Sequence, residues 1–387
     1  MDIRKPNSIQ IAKSNKPMRT PRLAIVILLL LGGLFLSGSG AVAEWSKPRV
    51  GHVLKFPRDH GSHPDFKIEW WYLTGHLFAG DRRFGFQATF FRLGQRPESD
   101  PEGEAFGDAQ IYMAHMGLSD PETGEFYHQE RLNRAGWNAG AKEGDLQVFN
   151  GDWKLERVGN FLELAGSVRS EVRFDLRLLP HKPQVIFGEE GISRKGPEGT
   201  AASYYITFPR LDLEGTLLLG EEKLEVAGEA WMDHEISSSQ LDRNQIGWDW
   251  AAFQFYDGRE IMGYVLREKD GSVSPYSKLV WIDREGNLTH QKAAEYRWIH
   301  QGEWESPKTG AVYPISPQIE TTDPETGKRR KFLLQPTMAA QEMVGGSGGV
   351  SYWEGACDIV DVETDEIIGR AFLEMTGYAD NIAEKLQ

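Results

Sequence analysis

The sequence predicts an all-β protein, and three observations carry that reading. Apolar and polar residues alternate in runs of about 6–10 residues, as a half-buried strand requires; examples lie in Arg83–Arg92, Phe161–Leu179 and Glu366–Tyr378. Turn signals separate the runs: Gly80–Asp81, Asn150–Asp152, Asp257–Gly258, Asp270–Gly271 and Glu285–Asn287. The chain also holds 42 glycines among 387 residues and is 11% aromatic, which suits tight hairpins and large side chains packed on pleated surfaces or lining a cavity. Helix is confined to short pieces such as Gln291–Trp298. The class is barrel or sandwich.

The first segment reads as an address. Met1 to Arg22 carries six basic residues and one acid, and Leu23–Leu36 is an uncharged apolar run followed by small residues up to Ala43. That order is a secretory signal with cleavage expected after Ala43. The apolar run is short for the ~20 residues of a membrane span, so the expected product is exported, periplasmic or secreted, with no stable span; an uncleaved anchor is the alternative. Cleavage takes the formal charge from −14 to −19. An acidic chain without a basic run argues against a nucleic-acid partner. The lone Cys357 excludes an intramolecular disulfide framework and reads as a small buried side chain.

The rest of the chain holds two echoing segments. From Trp71 a strand leads to a Gly80–Asp81 tip and returns through Gly85; from Trp250 a strand leads to Asp257–Gly258 and returns through Gly263. Two such hairpins favour a duplicated β domain, with residues 44–228 and 229–387 as the expected halves after the signal segment 1–43.

Three blocks carry a resemblance: FPRDHGSHPDFKIEWWYLTGHL at Phe56–Leu77, the MDHE and GWDW stretch within Ala230–Arg267, and Tyr352–Ile359 paired with Gly369–Tyr378. Together they resemble the AttH-like and carotenoid 1,2-hydratase-like (hydroxyneurosporene synthase-like) family, and in particular its exported branch. The resemblance implies two lipocalin-like β-barrel domains in tandem, no cofactor and a lipophilic small-molecule partner. It also implies a range of activity: some members hydrate terminal isoprenoid double bonds, and some fungal relatives guide polyene cyclisation. The assembly state is left open.

Strand alternation sorts the candidate residues. In WMDHE, Trp231, Asp233 and Glu235 share one face, with Met232 and His234 opposite. In GWDWAAF, Trp248 and Trp250 share a face and Asp249 lies on the other among apolar residues. An enclosed acid is either paired or held protonated, and a protonated acid at neutral pH is what alkene protonation needs. The expected catalytic set is therefore Asp233 or Asp249 as acid, His234 orienting water, and aromatic faces of Trp248, Trp250 or Tyr264 stabilising a cation. The alternative is that Asp233 and His234 hold an interface between barrels while Asp249 accepts backbone or arginine hydrogen bonds.

In EWWY, Glu69 and Trp71 face one way, Trp70 and Tyr72 the other; Glu69, Trp70 and Tyr72, with Trp231, Trp248, Trp250 and Tyr264 of the second block, are ligand-contact candidates, while Trp71 with its counterpart Trp250 also suits barrel closure. In the third block Trp353 is a contact candidate, opposite Glu354 on its strand, and Glu374, Thr376 and Phe372 make a mixed face that would border a cavity. His52, His60, His63 and His76 invite a metal, but no HExxH occurs and the only thiol is Cys357, so imidazole–carboxylate hydrogen bonds within a turn are expected and no metal. No G-x-S-x-G elbow is present, which sets a secreted hydrolase behind a lipophile carrier and a cofactor-free hydratase, isomerase or cyclase. Val344–Ser351 (VGGSGGVS) lacks the Lys-Ser/Thr of a phosphate loop and reads as a flexible loop.

Overall fold

The alternating runs become strands, and backbone hydrogen bonds gather them into two large antiparallel sheets in this computed structural model, which describes residues 44–97, 110–197, 199, 201–346, 349–380 and 382. The expected signal segment, residues 1–43, lies outside the described residues.

The first sheet runs from Glu125–Arg134 through Gln110–Asp120, Arg82–Gly94, Ile68–Ala79, Glu222–Ser239 and Ala202–Leu219, then on through Val172–Pro180, Phe161–Val168, Trp153–Val158 and Gln147–Asn150 to Ala139–Ala141. It curls until its ends meet: Asn133 donates to the Asn150 side chain at 2.6 Å, and Asn150 donates to the Tyr112 carbonyl at 3.1 Å. One face of every strand fills the interior, where Trp71, Leu73, Phe86, Trp153 and Phe174 are buried together.

The second sheet runs from Leu288–Lys292 through Lys278–Ile282, Glu260–Glu268, Gln245–Phe255 and Glu366–Met375, then on through Tyr352–Asp361, Arg329–Pro336 and Gln318–Thr322 to Arg297–Ile299. Gln291 closes it, accepting from the Thr321 hydroxyl and donating to the Thr322 carbonyl, each at 2.6 Å. Phe253, Phe255, Trp281, Phe332 and Trp353 lie in its interior. The all-β fold with two lipocalin-like barrels is thus what the chain forms. The first sheet's last strand ends at Ser239 and the second sheet begins at Gln245, so the sheets change over 240–244, and residues 228/229 fall inside a strand.

The expected short helix at Gln291–Trp298 is a strand end, a turn and a new strand. Pairing overrides local propensity here: Lys278–Ile282 takes the first part, Gln318–Thr322 takes the second, and the Tyr296 hydroxyl donates to the Tyr264 carbonyl at 2.7 Å. No helix among the described residues is long and apolar enough to cross a membrane.

The faces turned away from the two interiors meet each other. A third buried cluster lies there, including Tyr72, Tyr205, Trp231, Trp250, Tyr264 and Tyr352. Elsewhere in the same interface, buried Glu260 accepts from Lys182 at 2.7 Å and from Arg210 at 2.8 Å, while Lys182 also donates to the Gly258 and Asp283 carbonyls. At Gly85 an added Cβ would stand 2.6 Å from that of Ala356 in the other barrel. Glycine is needed there for close approach; its counterpart Gly263 meets nothing nearer than 3.5 Å.

Candidate functional site

Two sequence blocks far apart in the chain pair directly. Trp70 lies opposite Glu235, Trp71 opposite His234, and Tyr72 opposite Asp233. Because alternate side chains point to opposite faces, Trp70, Tyr72, Asp233 and Glu235 all leave the first barrel on the same side. The second barrel answers with the same device: Trp250 lies opposite Glu374, and Glu374 lies opposite Glu354. Between these surfaces is a cavity with about 90 Å³ open to the centre of a water-sized sphere, several times the ~10–15 Å³ that one water needs. Trp70, Tyr72, Trp248, Trp250, Tyr264 and Tyr352 give it aromatic walls.

Three acids, Asp233, Glu235 and Glu374, stand in these walls, and Glu354 lies beside Glu374. Asp233 is 2% exposed and accepts only from neutral donors: Tyr205 at 2.6 Å, Thr207 at 2.5 Å and the Trp231 indole at 2.8 Å. Burial outweighs those bonds and pushes its carboxyl up to about 7, with nearby Glu235 adding to the rise. Glu374 keeps part of its surface open into the cavity and accepts from the Trp248 indole at 3.2 Å. Burial, together with the charges of Asp233, Glu235 and Asp249, raises it to about 7 as well. Glu354 is pushed well up by burial and by facing Glu374; the hydroxyls of Tyr72 and Tyr352 lie beside its carboxyl, though none of these contacts has good hydrogen-bond geometry. Lys195 is the only lysine or arginine among the described lining residues, and it is engaged by Glu235 and Gln240 beneath the Trp70 and Tyr205 rings.

The other candidates lie elsewhere. Asp249 points into the second barrel, where Arg267 pairs with it at 3.3 Å, His300 at 2.6 Å and the Tyr378 hydroxyl at 3.1 Å. Trp231 stands behind Asp233 rather than at the cavity surface. Trp353 fills the second barrel and donates to the Ala339 carbonyl at 2.7 Å. Trp71 fills the first barrel and donates to the His60 carbonyl at 3.0 Å, whereas its sequence counterpart Trp250 faces the cavity and donates to the Tyr205 hydroxyl at 3.0 Å.

His234 and Glu69 form a separate cluster on the first barrel's inner side. One Glu69 oxygen meets His63 at 2.8 Å and His234 at 2.9 Å, while the other accepts from Arg92 at 2.9 Å; His63 also meets Asp59 at 3.2 Å. The ligand atoms of His63, Glu69 and His234 lie within 4.8 Å of one another, a grouping that can surround a cation. Two features oppose that use. Arg92 already neutralises Glu69, and the outer nitrogen of His234 is buried without a partner, where a ligating histidine needs an acceptor for its second N–H. Hydrogen bonding accounts for the cluster.

Residue-by-residue sequence reading missed Tyr205, Lys195, His115 and Glu235 as members of the site. Glu235 shares the face of Asp233, a signal that was available; Lys195 sits outside regular strands, and nothing local marks it.

The chain matches the AttH-like family over residues 47–378. Among solved structures, a Nitrosomonas europaea protein assigned to AttH is 32% identical, with 87% of this chain and 100% of that one covered and a TM-score of 0.77. Kievitone hydratase from Nectria haematococca shares the fold at 14% identity, with 86% and 96% covered and a TM-score of 0.63. CghA, solved with Sch210972, shares it at 11% identity, with 81% and 88% covered and a TM-score of 0.51. No curated protein matches the chain in sequence.

Proposed function

The chain belongs to the AttH-like family, and on that footing we propose that it takes a lipophilic molecule into the inter-barrel cavity and performs acid-catalysed addition or rearrangement at a carbon–carbon double bond. The observation that carries this is a pair of carboxyls, Asp233 and Glu374, both raised to about 7 against aromatic walls. A carboxylic acid near its pKa at working pH is suited to give and take a proton. The name of one fold neighbour, kievitone hydratase, agrees with such chemistry, but at 14% identity the neighbour supports the fold, and the carboxyls support the reaction.

In this reading a protonated carboxyl gives its proton to one alkene carbon, forming a C–H bond from the π electrons and leaving a carbocation on the other. The faces of Trp248 and Trp250 stabilise that charge. Water then forms the C–O bond and loses a proton to the bare carboxylate, which restores the acid; loss of a neighbouring C–H proton instead yields an isomer. No cofactor is needed for this balance. The cavity suits the reacting end of a ligand rather than the whole of a long chain, and the N-terminal segment supports activity outside the cytoplasm.

Mass spectrometry of the purified protein, before and after long incubation in D2O, tests the reading. The expected result is a bound apolar molecule that returns carrying solvent deuterium or the mass of water. A ligand returned unaltered would reduce the protein to a carrier, and no bound or bindable apolar molecule would sink both.

A further inference from the structure

His115 has no part in the chemistry above, yet it is buried in the cavity wall on the strand Gln110–Asp120. Its two ring nitrogens face opposite ways. Nδ1 lies 2.7 Å from the Tyr352 hydroxyl, and Nε2 lies 3.1 Å from a carboxylate oxygen of Glu130. Glu130 stands on the edge strand Glu125–Arg134 and retains 14% side-chain exposure. Of the glycine-rich tract read from sequence as a flexible loop, residues 347 and 348 lie outside the described residues, and those on either side pack on it: the Gly346 N–H donates to Glu130 at 3.1 Å, and a Cβ at Gly349 would stand 2.2 Å from its other oxygen. At the inner end, Tyr352 precedes Glu354 by two residues on one strand face, its hydroxyl beside that carboxyl, and Glu354 lies opposite Glu374. A line of exchangeable groups thus connects the protein's edge to the acids of the cavity.

We propose that Glu130, His115 and Tyr352 carry protons between solvent and the Glu354–Glu374 pair. This rests on the cavity reading above, and it answers a difficulty in it: an apolar ligand that fills the cavity expels the water through which those acids would otherwise equilibrate. Protons are conserved along the path. The Glu130 carboxylate takes a proton from water and gives it to His115 Nε2; Nδ1–H gives its proton to the Tyr352 oxygen as the phenol passes its own to Glu354. The imidazole ends as its other tautomer, and the outward transfer of a proton from Glu354 through Tyr352 and His115 to Glu130 restores the first, so that inward and outward steps together exchange the buried protons with solvent. Histidine is suited to the middle place because both nitrogens accept and donate near neutral pH. The competing account gives His115 only the task of tying the edge strand to the glycine tract.

The test needs no substrate, but it is run with the cavity saturated with n-hexane, an inert apolar occupant that expels the cavity water as a ligand would. The purified protein, buffered on the acid side of about 7 where Glu374 holds its proton, is moved into D2O, and the infrared C=O stretch of its buried carboxyls reports exchange. Glu374→Gln assigns the band. Tyr352→Phe and Glu130→Gln should each slow exchange by about ten-fold or more, since each cuts one link of a hydrogen-bonded chain. Tyr127→Phe, on the same edge strand as Glu130 but packed against the first barrel's core and off the path, should exchange like the parent. Exchange in both path variants as fast as in the parent overturns the proposal, because water entering the cavity then suffices. If Tyr352→Phe does not fold, Glu130→Gln near the surface decides alone. An inert cavity would sink the proposed function and leave this readout standing, and a failed readout would leave the function standing.

Discussion

Asp233 and Asp249 come from neighbouring strands of the chain and are equally enclosed, at 2% and 0% exposure. Their surroundings divide them. Asp233 faces the gap between barrels and meets a tyrosine, a threonine and an indole, all neutral. Asp249 faces the second barrel's interior and meets Arg267 and His300. Burial alone therefore does not select an acid for chemistry: a cationic partner converts an enclosed carboxylate into a strut, whereas neutral donors leave it able to hold a proton. Glu260, buried between the barrels with Lys182 and Arg210 against it, differs from Glu374 and Glu354 in its partners and not in the direction of its shift, since burial raises its carboxyl despite the two cations.

The strongest way to break this comparison is Asp233→Asn, which keeps the shape of the side chain and removes its titration. Turnover of a verified substrate should fall by about 10²–10⁴-fold, the usual contribution of a general acid, with the fold retained by circular dichroism. A pH signature accompanies it. The folded state holds the Asp233 proton up to about 7, whereas the unfolded chain releases it near the ordinary aspartate value of 3.8. Between those values the folded state binds more protons, so its stability is greatest at the acid end and declines as pH rises through the window. Glu374 contributes with the same sign. Denaturant titrations across that window should show a shallower decline in Asp233→Asn than in the parent; parallel profiles would mean that Asp233 does not hold its proton when folded.

How far the sequence foretells this arrangement depends on the range of the signal. Period-two alternation is local, so WMDHE alone places Asp233 with Glu235 and away from His234, and EWWY alone separates Trp70 and Tyr72 from Trp71. The turn glycines mark the hairpins Ile68–Gly94 and Gln245–Glu268. What lies beyond local reading is register across strands distant in sequence. Glu235 meets Trp70, and Glu354 meets Glu374, only because the barrels close as they do. Arg267, His300 and the Tyr378 hydroxyl reach Asp249 from three different segments, so its pairing is invisible in GWDW. Lys195 reaches the cavity from an irregular segment, where no periodicity reports direction. The paired hairpins mislead in one respect: Trp71 and Trp250 hold matching sequence places, yet one indole lies inside a barrel and the other lies between the two.

A second variant tests the strut side. Asp249→Ala leaves Arg267 and His300 without their carboxylate, and should cost about 3 kcal/mol, the low end for breaking a buried pair, because the His300 side chain is 38% exposed. Urea unfolding measures the loss, and turnover per folded molecule should change far less than in Asp233→Asn. Equal loss of turnover in the two variants would erase the distinction drawn between the acids.

The smallest effect is expected at Tyr264, and it separates groups kept for a ligand from groups kept for the fold. Its hydroxyl is buried in the cavity wall, close to Ser193, without a hydrogen bond of good geometry. An unsatisfied buried hydroxyl costs stability, about 1 kcal/mol at the low end, so Tyr264→Phe should raise the denaturation midpoint, opposite in sign to Asp249→Ala. If the hydroxyl is kept for a ligand, the same change should weaken binding of an oxygen-bearing lipophile by about five-fold, the worth of one neutral hydrogen bond, as read by quenching of the cavity tryptophans. Gaining stability while losing affinity is the mark of a polar group held unpaired for function. A lower midpoint in Tyr264→Phe would instead place this hydroxyl among the structural groups, on the same side of the comparison as Asp249.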